Sequence, residues 1–367
     1  MFAGSRVFIY ASEFPPCKGS GGIGNHAYNL ARMFKANKFL VQVLSESFFV
    51  KDNLYPENDS YFKVFYIKRW KGFIYTYFAR LYYLIKFSRQ SDLVIISGAV
   101  PIVFSLFLKI LYIKKPICIV AHGTELTLGG RLKLFLTHLS LSYAQYLVAV
   151  SNYTKSFIPK SVREKVVVIP NGYYIPVEAE KKRNLNRNEL VLLTVGSISY
   201  RKGQLNVIRA LPEILKSHPN LVYRIVGSMG LREEIEAIAT ELKVKDRVVF
   251  LGKVDNEELY KSYCEADIFL MLSEHTNDGD FEGFGIAILE ANHFGIPAIG
   301  SIGTGIEDAI KDGYNGKLVD PKNVTQIAVA VNEIMQEYKS YSDRAQEWAL
   351  NHRWERIFPQ YLRMINK

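Results

Sequence analysis

The sequence predicts an α/β protein with two tandem, doubly wound domains that face each other across a cleft. The chain has 367 residues, which suits two domains of ordinary size. Short β-branched or aromatic runs alternate with amphipathic stretches, a pattern typical of βα units and mostly parallel sheets. A polar connector at residues 178–189 carries seven charged residues among twelve, so we place the domain boundary there. Ligands of such sheets bind beyond the carboxyl ends of the strands, which predicts a cleft between the domains.

Each predicted strand is a short apolar run followed by a turn or a helical pattern. The first Rossmann-like domain covers residues 1–175, with strands at 6–11, 40–44, 93–96, 117–121, 146–150 and 166–169. The second covers residues 176–351, with strands at 190–195, 221–226, 248–251, 268–272 and 297–300. We expect a C-terminal helix, at about 352–367, to pack back on the first domain.

Composition excludes several classes of protein. With 49% hydrophobic and 22% charged residues, the chain is neither disordered nor fibrous. Its three cysteines, Cys17, Cys118 and Cys264, are far apart and odd in number, so neither a disulfide framework nor a zinc site is supported. The sequence starts without a signal-like leader, and its most apolar window, 99–113, is too short to span a bilayer. We therefore expect a cytoplasmic protein.

A glycine-rich turn follows the first predicted strand. Gly21, Gly22 and Gly24 open a helix, and backbone N–H groups at such a turn can bind a phosphate at the positive end of the helix dipole. The glycines could equally serve only to make a tight turn. No Walker A lysine follows, and the preceding loop is too long for a dinucleotide fingerprint.

The most informative segment runs from Phe281 to Ala291. Glu282 and Glu290 are eight residues apart, with a Gly-Phe-Gly sequence between them. This spacing favours Glu282 on a flexible loop and Glu290 on the following helix, whose first free N–H groups would face an anion. Two carboxylates on either side of an anion site suit a nucleotide sugar, which has hydroxyls at both ends of a diphosphate. Solvent-facing glutamates are the alternative at this point.

A pair of cations follows the first strand of the second domain. Arg201 and Lys202 lie after the predicted strand 190–195 and before Gly203. Basic side chains at the carboxyl end of a strand could neutralise a diphosphate and stabilise it as a leaving group. On its own, such a pair is more often a solvated surface.

Taken together, the motifs resemble those of retaining glycosyltransferases of the GT-B architecture, in family 4, over nearly the whole chain. The Glu282 to Glu290 motif is the most specific of them. The others are weak individually and strong jointly: the glycines at 21–24, Ala121-His122-Gly123, Val150-Ser151 with Lys155, Ile169 to Gly172, Val195-Gly196, Lys202-Gly203, Val226-Gly227, Phe250 to Gly252 and Trp354-Glu355-Arg356.

The resemblance implies a role for individual residues. Glu290 would hold the ribose hydroxyls of a donor nucleotide, and Glu282 and His122 would contact the donor sugar. Lys202, with Arg201, would bind the diphosphate. As catalytic residues it thus implies Glu282, His122, Lys202 and Arg201, and as donor-binding residues Gly22, Gly24, Gly196, Arg201, Lys202, Gly227, Leu251, Val254, Phe284, Gly285, Ile286 and Glu290.

The sequence departs from the family at one place and contains one acidic motif of another kind. Ser197 stands where the family often has arginine, so Arg201 is expected to supply that charge. Asp278-Gly279-Asp280 could coordinate a divalent cation, but the two cations and the helix start already supply charge, and the resemblance implies a reaction without a metal. We expect neither a metal nor a cofactor, only a UDP- or GDP-linked sugar as donor.

The first domain has a large basic surplus. Residues 1–175 contain 22 basic and 8 acidic side chains, against 24 and 28 in the remainder. Residues 60–91 contain no acid, and their cations are interleaved with aromatic residues, which favours an interfacial helix on an anionic membrane. The alternative is a helix with Tyr77, Leu81 and Leu84 in the core and cations outside. No nucleic-acid-binding module is present, so nucleic acid is not expected as a partner.

The resemblance implies a retaining hexosyltransferase that moves a sugar from a nucleotide diphosphate to an acceptor hydroxyl. The acceptor is expected to be a lipid-linked or other glycan of cell-surface polysaccharide biosynthesis, reached at the inner face of the cytoplasmic membrane. Two alternatives remain open: a nucleotide-sugar epimerase of the same fold, and a membrane-docked binding protein without activity.

Overall fold

The computed structural model describes residues 4–15, 21–47, 62–68, 73–176 and 188–366, and in residues 47 and 68 the backbone alone. The chain divides into two compact units. The first comprises Met1–Gly172 and Trp354–Lys367, and the second comprises Tyr173–Arg353. Cys17 and nearly all of the predicted connector at 178–189 lie outside the described residues.

The first unit is built on a parallel sheet of seven described strands in the order β3-β2-β1-β4-β5-β6-β7. Its central strands are mostly apolar and buried, because helices cover both faces of a doubly wound sheet. The strands are β1 (Arg6–Ala11), β2 (Leu40–Ser47), β3 (Phe62–Lys68), β4 (Leu93–Ser97), β5 (Ile117–Ala121), β6 (Tyr146–Ala149) and β7 (Val166–Val168). The helices are α1 (Gly22–Ala36), α2 (Phe73–Gln90), α3 (Ala99–Phe104), α4 (Leu106–Ile110), α5 (Arg131–Tyr143), α6 (Asn152–Ser156) and α7 (Lys160–Arg163).

The second unit has a parallel sheet of six described strands, in the order β10-β9-β8-β11-β12-β13. The strands are β8 (Leu190–Val195), β9 (Leu221–Val226), β10 (Val248–Gly252), β11 (Ile268–Met271), β12 (Ala298–Ser301) and β13 (Gly316–Val319). The helices are α8 (Gln204–Leu215), α9 (Arg232–Glu241), α10 (Asn256–Cys264), α11 (Ile286–His293), α12 (Val324–Gln336) and α13 (Tyr338–Asn351). The prediction of two doubly wound α/β domains is confirmed, and each unit has its own core.

The last helix, α14 (Trp354–Ile365), belongs to the first unit and packs on α1. Phe358 meets Phe34 of α1 edge to face, with ring centroids 4.9 Å apart. Trp354 is fully buried, and a Cβ atom at Gly172 would lie 2.8 Å from its ring, so this corner requires glycine. Two of the weak motifs, at 169–172 and at 354–356, therefore meet in one core.

Two strands were missed in the sequence. β3 alternates buried Phe62 and Val64 with exposed Lys63, and it lies at the edge of the sheet beside β2. β13 has four residues, one of them Lys317, and pairs with β12 at the other sheet's edge. Edge strands carry more charge than central ones, so their hydrophobic signal is weak.

In its described residues, 62–68 and 73–91, the segment 60–91 contains a strand and a helix, and of these only α2 can be an interfacial helix. Leu84 of α2 is fully buried, and Tyr77 and Leu81 are half-buried, so one side of α2 belongs to the core. Phe73, Ile74 and Phe78 are exposed on the same helix. Across the described ranges, none of the helices combines the length and hydropathy that crossing a bilayer requires.

Candidate donor site

Two glycines shape the carboxyl end of the second sheet, at Gly196 after β8 and Gly227 after β9. Both have positive φ, 149° and 145°. A Cβ atom at Gly227 would lie 2.0 Å from the carbonyl oxygen of Gly196, so only glycine lets these two turns approach each other. A Cβ atom at Gly196 would lie 3.2 Å from Cε of Lys202, which shows that the lysine side chain runs close over this turn.

The two predicted cations sit on a single 3-10 turn, Tyr200–Lys202, between β8 and α8. Gly203 ends this turn with φ 72° and begins α8. A Cβ atom there would lie 1.7 Å from the carbonyl oxygen of Leu272, just after β11. The close backbone contact with Leu272 fixes the turn at the carboxyl ends of β8 and β11, the central strands of the sheet.

Arg201 and Lys202 form ion pairs with two carboxylates of the loop before α11. Nε of Arg201 lies 3.0 Å from Oδ2 of Asp280, and the same guanidinium also binds Glu282. Nζ of Lys202 lies 2.8 Å from Oε2 of Glu282. Glu282 and Lys202 are the more enclosed pair, with side chains 12% and 14% exposed.

These contacts keep Glu282 ionised although it is enclosed. Burial alone would raise the pKa of this carboxyl, but Lys202 and Arg201 outweigh that effect and the pKa of Glu282 is lowered. Its backbone is fixed as well, because its carbonyl oxygen accepts a hydrogen bond of 2.9 Å from the N–H group of Gly305.

The second glutamate of the motif lies on α11, as the spacing predicted. The helix starts at Ile286 after Gly285, which has φ 92°, and Glu290 is its fifth residue. The Tyr263 hydroxyl of α10 donates a hydrogen bond of 2.9 Å to Glu290. Burial raises the pKa of Glu290, and this hydrogen bond and the charge of Lys202 offset part of the rise.

Glu290 thus shares an electrostatic environment with the cation turn. An enclosed carboxylate able to accept hydrogen bonds from hydroxyls lies within the electrostatic influence of a lysine that can bind phosphate, in the same unit.

The other donor-binding candidates of this unit lie around the same strand ends. Phe284 and Gly285 are buried, and Ile286 is half-buried at the first position of α11. Leu251 is half-buried in β10, and Val254 is half-buried just before α10. Hydrogen bonds tie these ends together, from Gly196 N–H to the Val226 carbonyl and from Gly227 N–H to the Gly252 carbonyl, each 2.8 Å long.

The aspartates of the acidic motif at 278–280 contact Thr276 of the same loop and Arg201. The hydroxyl of Thr276 binds the carboxylate of exposed Asp278. The N–H group of Asp280 donates to that hydroxyl over 2.9 Å, and its carboxylate pairs with Arg201. In the described part of the chain, no three His, Cys, Asp or Glu side chains are grouped so that they could hold a metal ion.

In the first unit, His122 follows β5 and is held on several sides. Its Nε2 atom lies 2.9 Å from the hydroxyl of Ser97, at the end of β4. The carboxylate of Glu125 accepts hydrogen bonds from the N–H groups of His122 and Gly123. Burial lowers the pKa of His122 to about 4, so the ring is neutral at neutral pH and can exchange hydrogen bonds without carrying charge.

A second buried histidine lies against the first. The ring of His26, on α1, meets the ring of His122 edge to face with centroids 4.9 Å apart. Nε2 of His26 lies 2.9 Å from the hydroxyl of Tyr361 on α14. The predicted glycines of this unit are on α1, with Gly22 exposed at its first residue and Gly24 buried at its third.

Sequence reasoning missed the partners of the predicted residues. It did not identify Tyr263, which reaches Glu290 from a helix 27 residues earlier, or the pairing of Asp280 with Arg201. Ser97 could have been found, because β4 and β5 are neighbours whose carboxyl ends meet. Glu125 is adjacent to a recognised motif but has no signal of its own.

Two family profiles match the chain in succession. Glycosyltransferase Family 4 matches residues 20–175, and Glycosyl transferases group 1 matches residues 177–349. Among curated relatives, an uncharacterized glycosyltransferase of Methanocaldococcus jannaschii is 34% identical over 54% of this chain and 50% of the relative. A GDP-mannose-dependent alpha-(1-6)-phosphatidylinositol monomannoside mannosyltransferase of Mycolicibacterium smegmatis is 30% identical over 58% of this chain and 59% of the relative. The matched part thus spans only a half to three-fifths of these relatives' length.

Solved structures show the same fold at low identity. Sucrose-phosphate synthase of Thermosynechococcus elongatus has a TM-score of 0.80 and 19% identity, over 99% of this chain and 98% of its own. Anabaena HepE, in complex with UDP and glucose, has a TM-score of 0.75 and 18% identity, over 99% of this chain and 100% of its own. With both successive profiles and the two sheets in agreement, the chain belongs to glycosyltransferase family 4 and has the GT-B fold.

Proposed function

We propose that the protein is a retaining glycosyltransferase that moves a sugar from a nucleotide diphosphate to an acceptor hydroxyl without a metal ion. The observation that carries this proposal is the cluster of Arg201, Lys202 and Glu282, with Glu290 one helix turn beyond the start of α11. Cations for a diphosphate and carboxylates for hydroxyls are the groups that a nucleotide sugar requires.

Each residue has a defined task in this proposal. Lys202 and Arg201 bind the diphosphate and stabilise the negative charge that develops when it leaves. Glu290 accepts hydrogen bonds from the ribose hydroxyls, and Glu282 and neutral His122 contact hydroxyls of the donor sugar. The bond from the anomeric carbon to the phosphate oxygen breaks, the acceptor oxygen bonds to the same face of that carbon, and the acceptor's proton passes to the leaving phosphate.

Relatives suggest the donor and the acceptor class. One relative is described as GDP-mannose-dependent and acts on phosphatidylinositol monomannoside, and a structural neighbour was crystallised with UDP and glucose. We therefore propose a UDP- or GDP-linked hexose as donor and a lipid-linked glycan of cell-surface polysaccharide biosynthesis as acceptor.

A combined binding and turnover experiment tests the proposal. Thermal-shift screening with UDP- and GDP-sugars identifies the donor, since a ligand at one hundred times its Kd adds about 2.7 kcal/mol of stability. Turnover with glycolipid acceptors is then followed by mass spectrometry, and the anomeric configuration of the product by NMR. We expect Lys202→Ala to lower kcat about 100-fold or more, because it removes a charge from the transition state. Lys216→Ala is the matched control, since Lys216 is exposed and pairs with Glu213.

Three outcomes would contradict the proposal. Unchanged turnover in Lys202→Ala would remove the diphosphate role of the cation turn. A new nucleotide sugar formed from donor alone would favour the epimerase, and nucleotide binding without turnover on any glycolipid would favour a binding protein.

We also propose that the first unit docks peripherally on the inner face of the cytoplasmic membrane. Exposed apolar side chains are concentrated on α2, α4 with the loop after it, and α5, and these helices pack in succession, α2 on α4 and α4 on α5. The exposed residues are Phe73, Ile74, Tyr75, Phe78 and Tyr82, then Ile110, Leu111 and Tyr112, then Leu132 and Phe135. We call these ten residues the apolar face.

Charge around the apolar face suits anionic lipid. Residues 73–143 contain eight Lys or Arg and only two acids, Asp92 and Glu125. Glu125 is buried, which leaves Asp92 as the one exposed acid in this range. Interfacial aromatic residues next to cations are typical of surfaces that bind anionic membranes.

A further inference from the structure

Asp280 forms an ion pair with Arg201, a cation that the proposed reaction needs. Its carboxylate lies 3.0 Å from Nε of Arg201, and both side chains remain partly accessible, 32% and 25% exposed. Glu282 binds Arg201 and Lys202 at the same time. The four charges of this cluster add to zero, so an arriving diphosphate meets cations that already have anionic partners.

Glu282 and Asp280 differ in the groups with which they can interact once a donor is bound. Glu282 lies between both cations and can turn to sugar hydroxyls when the diphosphate takes its place, as the proposed function requires. Asp280 comes from the more exposed part of the loop and has Arg201 as its ion-pair partner. A diphosphate that binds Arg201 through Nε therefore competes with Asp280 for the same N–H group.

We propose that Asp280 is a resident competitor for the diphosphate, which weakens binding of the nucleotide product and so speeds its release. This inference rests on the proposed function. The donor diphosphate is a diester, whereas the product has a terminal phosphate that carries additional negative charge near neutral pH. Cations alone would hold the product more tightly than the donor. A carboxylate that returns to Arg201 weakens the binding of both ligands, and for the product it offsets part of the extra affinity that would slow its release.

The loop allows this charge to be removed without losing its shape. The N–H group of Asp280 donates to the Thr276 hydroxyl, and its carbonyl oxygen accepts from the Thr276 N–H group, both over 2.9 Å. These are backbone contacts, which Asp280→Asn retains. Asp278, two residues earlier, is exposed and binds Thr276, so Asp278→Asn removes the same charge from the same loop away from Arg201.

Calorimetric titration with inorganic pyrophosphate, UDP and GDP tests the proposal, because pyrophosphate requires neither base nor sugar. We expect Asp280→Asn to bind pyrophosphate and the cognate nucleoside diphosphate about five- to tenfold more tightly at low salt, and less so at high salt. Asp278→Asn should match the wild type, and Asp280→Glu should restore weak binding. In turnover, Asp280→Asn should show stronger product inhibition and a lower kcat.

The outcomes separate this proposal from the proposed function. Equal or weaker pyrophosphate binding by Asp280→Asn, in a protein that still transfers sugar, overturns the competitor role alone. Equal tightening by Asp278→Asn would also overturn it, since the effect would then be a general one of loop charge. Tighter pyrophosphate binding by Asp280→Asn alone would support the competition even if no sugar transfer were found.

Discussion

At the scale of single residues, the two glutamates of one motif have opposite properties. The pKa of Glu282 is lowered, because two cations outweigh its burial, and the pKa of Glu290 is raised, because burial outweighs one hydroxyl and a more distant lysine. Neighbouring carboxylates whose environments push their pKa values apart commonly have different tasks. Glu282 is stabilised in its ionised form by the two neighbouring cations. The ionised form of Glu290 depends on the hydrogen bond that the Tyr263 hydroxyl donates.

Tyr263→Phe tests this dependence. Without the hydroxyl, Glu290 loses a hydrogen bond that opposes the effect of burial, so its pKa rises further and its oxygens are less firmly oriented for the ribose hydroxyls. We expect roughly tenfold weaker binding of the cognate nucleoside diphosphate, and an affinity that improves as pH rises, because the ionised carboxylate is the form that accepts both hydroxyls. Calorimetry over a pH series measures it. Tyr314→Phe, which removes a tyrosine hydroxyl from Glu347 elsewhere in the same unit, should bind as the wild type does.

At the scale of elements, the cation turn depends on one close backbone approach. Gly203 ends the turn at the point where it touches the carbonyl of Leu272, and this contact sets where Arg201 and Lys202 can point. The sequence shows Lys202-Gly203 as a motif, but the reason for the glycine is the carbonyl of Leu272, just after β11 and about seventy residues later. Motif spacing therefore identified the residues of the candidate site, but it did not identify the backbone contact that fixes the turn on which Arg201 and Lys202 lie.

Gly203→Ala tests the turn against a matched control. Gly313 has nearly the same φ, 70° against 72°, but a Cβ atom there meets no heavy atom within 4 Å. We expect Gly313→Ala to cost about 1 to 2 kcal/mol, the strain of the left-handed conformation alone. Gly203→Ala adds a clash with a carbonyl oxygen and should cost more and abolish nucleotide binding. Urea unfolding and calorimetry measure both effects. Equal effects in the two variants would contradict this account.

The elements also show which sequence patterns are reliable. Central strands such as β4 and β8 are continuous apolar runs and were predicted almost to the residue, whereas the edge strands β3 and β13 contain lysines and were missed. α2 could not be separated from β3, because both are rich in aromatic residues and cations. Only pairing with β2 distinguishes the strand.

At the scale of the whole molecule, charge and exposed apolar surface are distributed unevenly. The basic surplus lies in residues 1–175, and the apolar face lies on helices of the first unit. Composition predicted the surplus over residues 1–175, but the predicted membrane contact was limited to residues 60–91. The helices α4 and α5 are distant from α2 in sequence, and only the fold packs α4 on α2 and α5 on α4. Lys68, Arg69, Trp70 and Lys71 of that segment have side chains outside the described residues.

Vesicle flotation tests the membrane proposal. We expect the protein to bind vesicles of phosphatidylcholine and phosphatidylglycerol in equal parts, and to bind pure phosphatidylcholine weakly. Phe78→Ser with Phe135→Ser should reduce binding about tenfold or more, since each buried aromatic contributes roughly 1.5 to 3 kcal/mol. Leu350→Ser, at an exposed leucine of the second unit, is the control. Equal binding by the double variant, or binding indifferent to lipid charge, would contradict docking through this face.

The return of α14 to the first unit has a consequence for biosynthesis. The ribosome synthesises the first sheet and the entire second unit before it reaches Trp354. The surface of α1 around Phe34 and His26, which α14 covers in the folded protein, is therefore exposed during most of translation. At that stage the nascent chain exposes an apolar groove along α1 to which chaperones can bind. Premature termination before residue 354 would leave that groove open, and we expect such truncated products to be cleared by proteolysis rather than to accumulate.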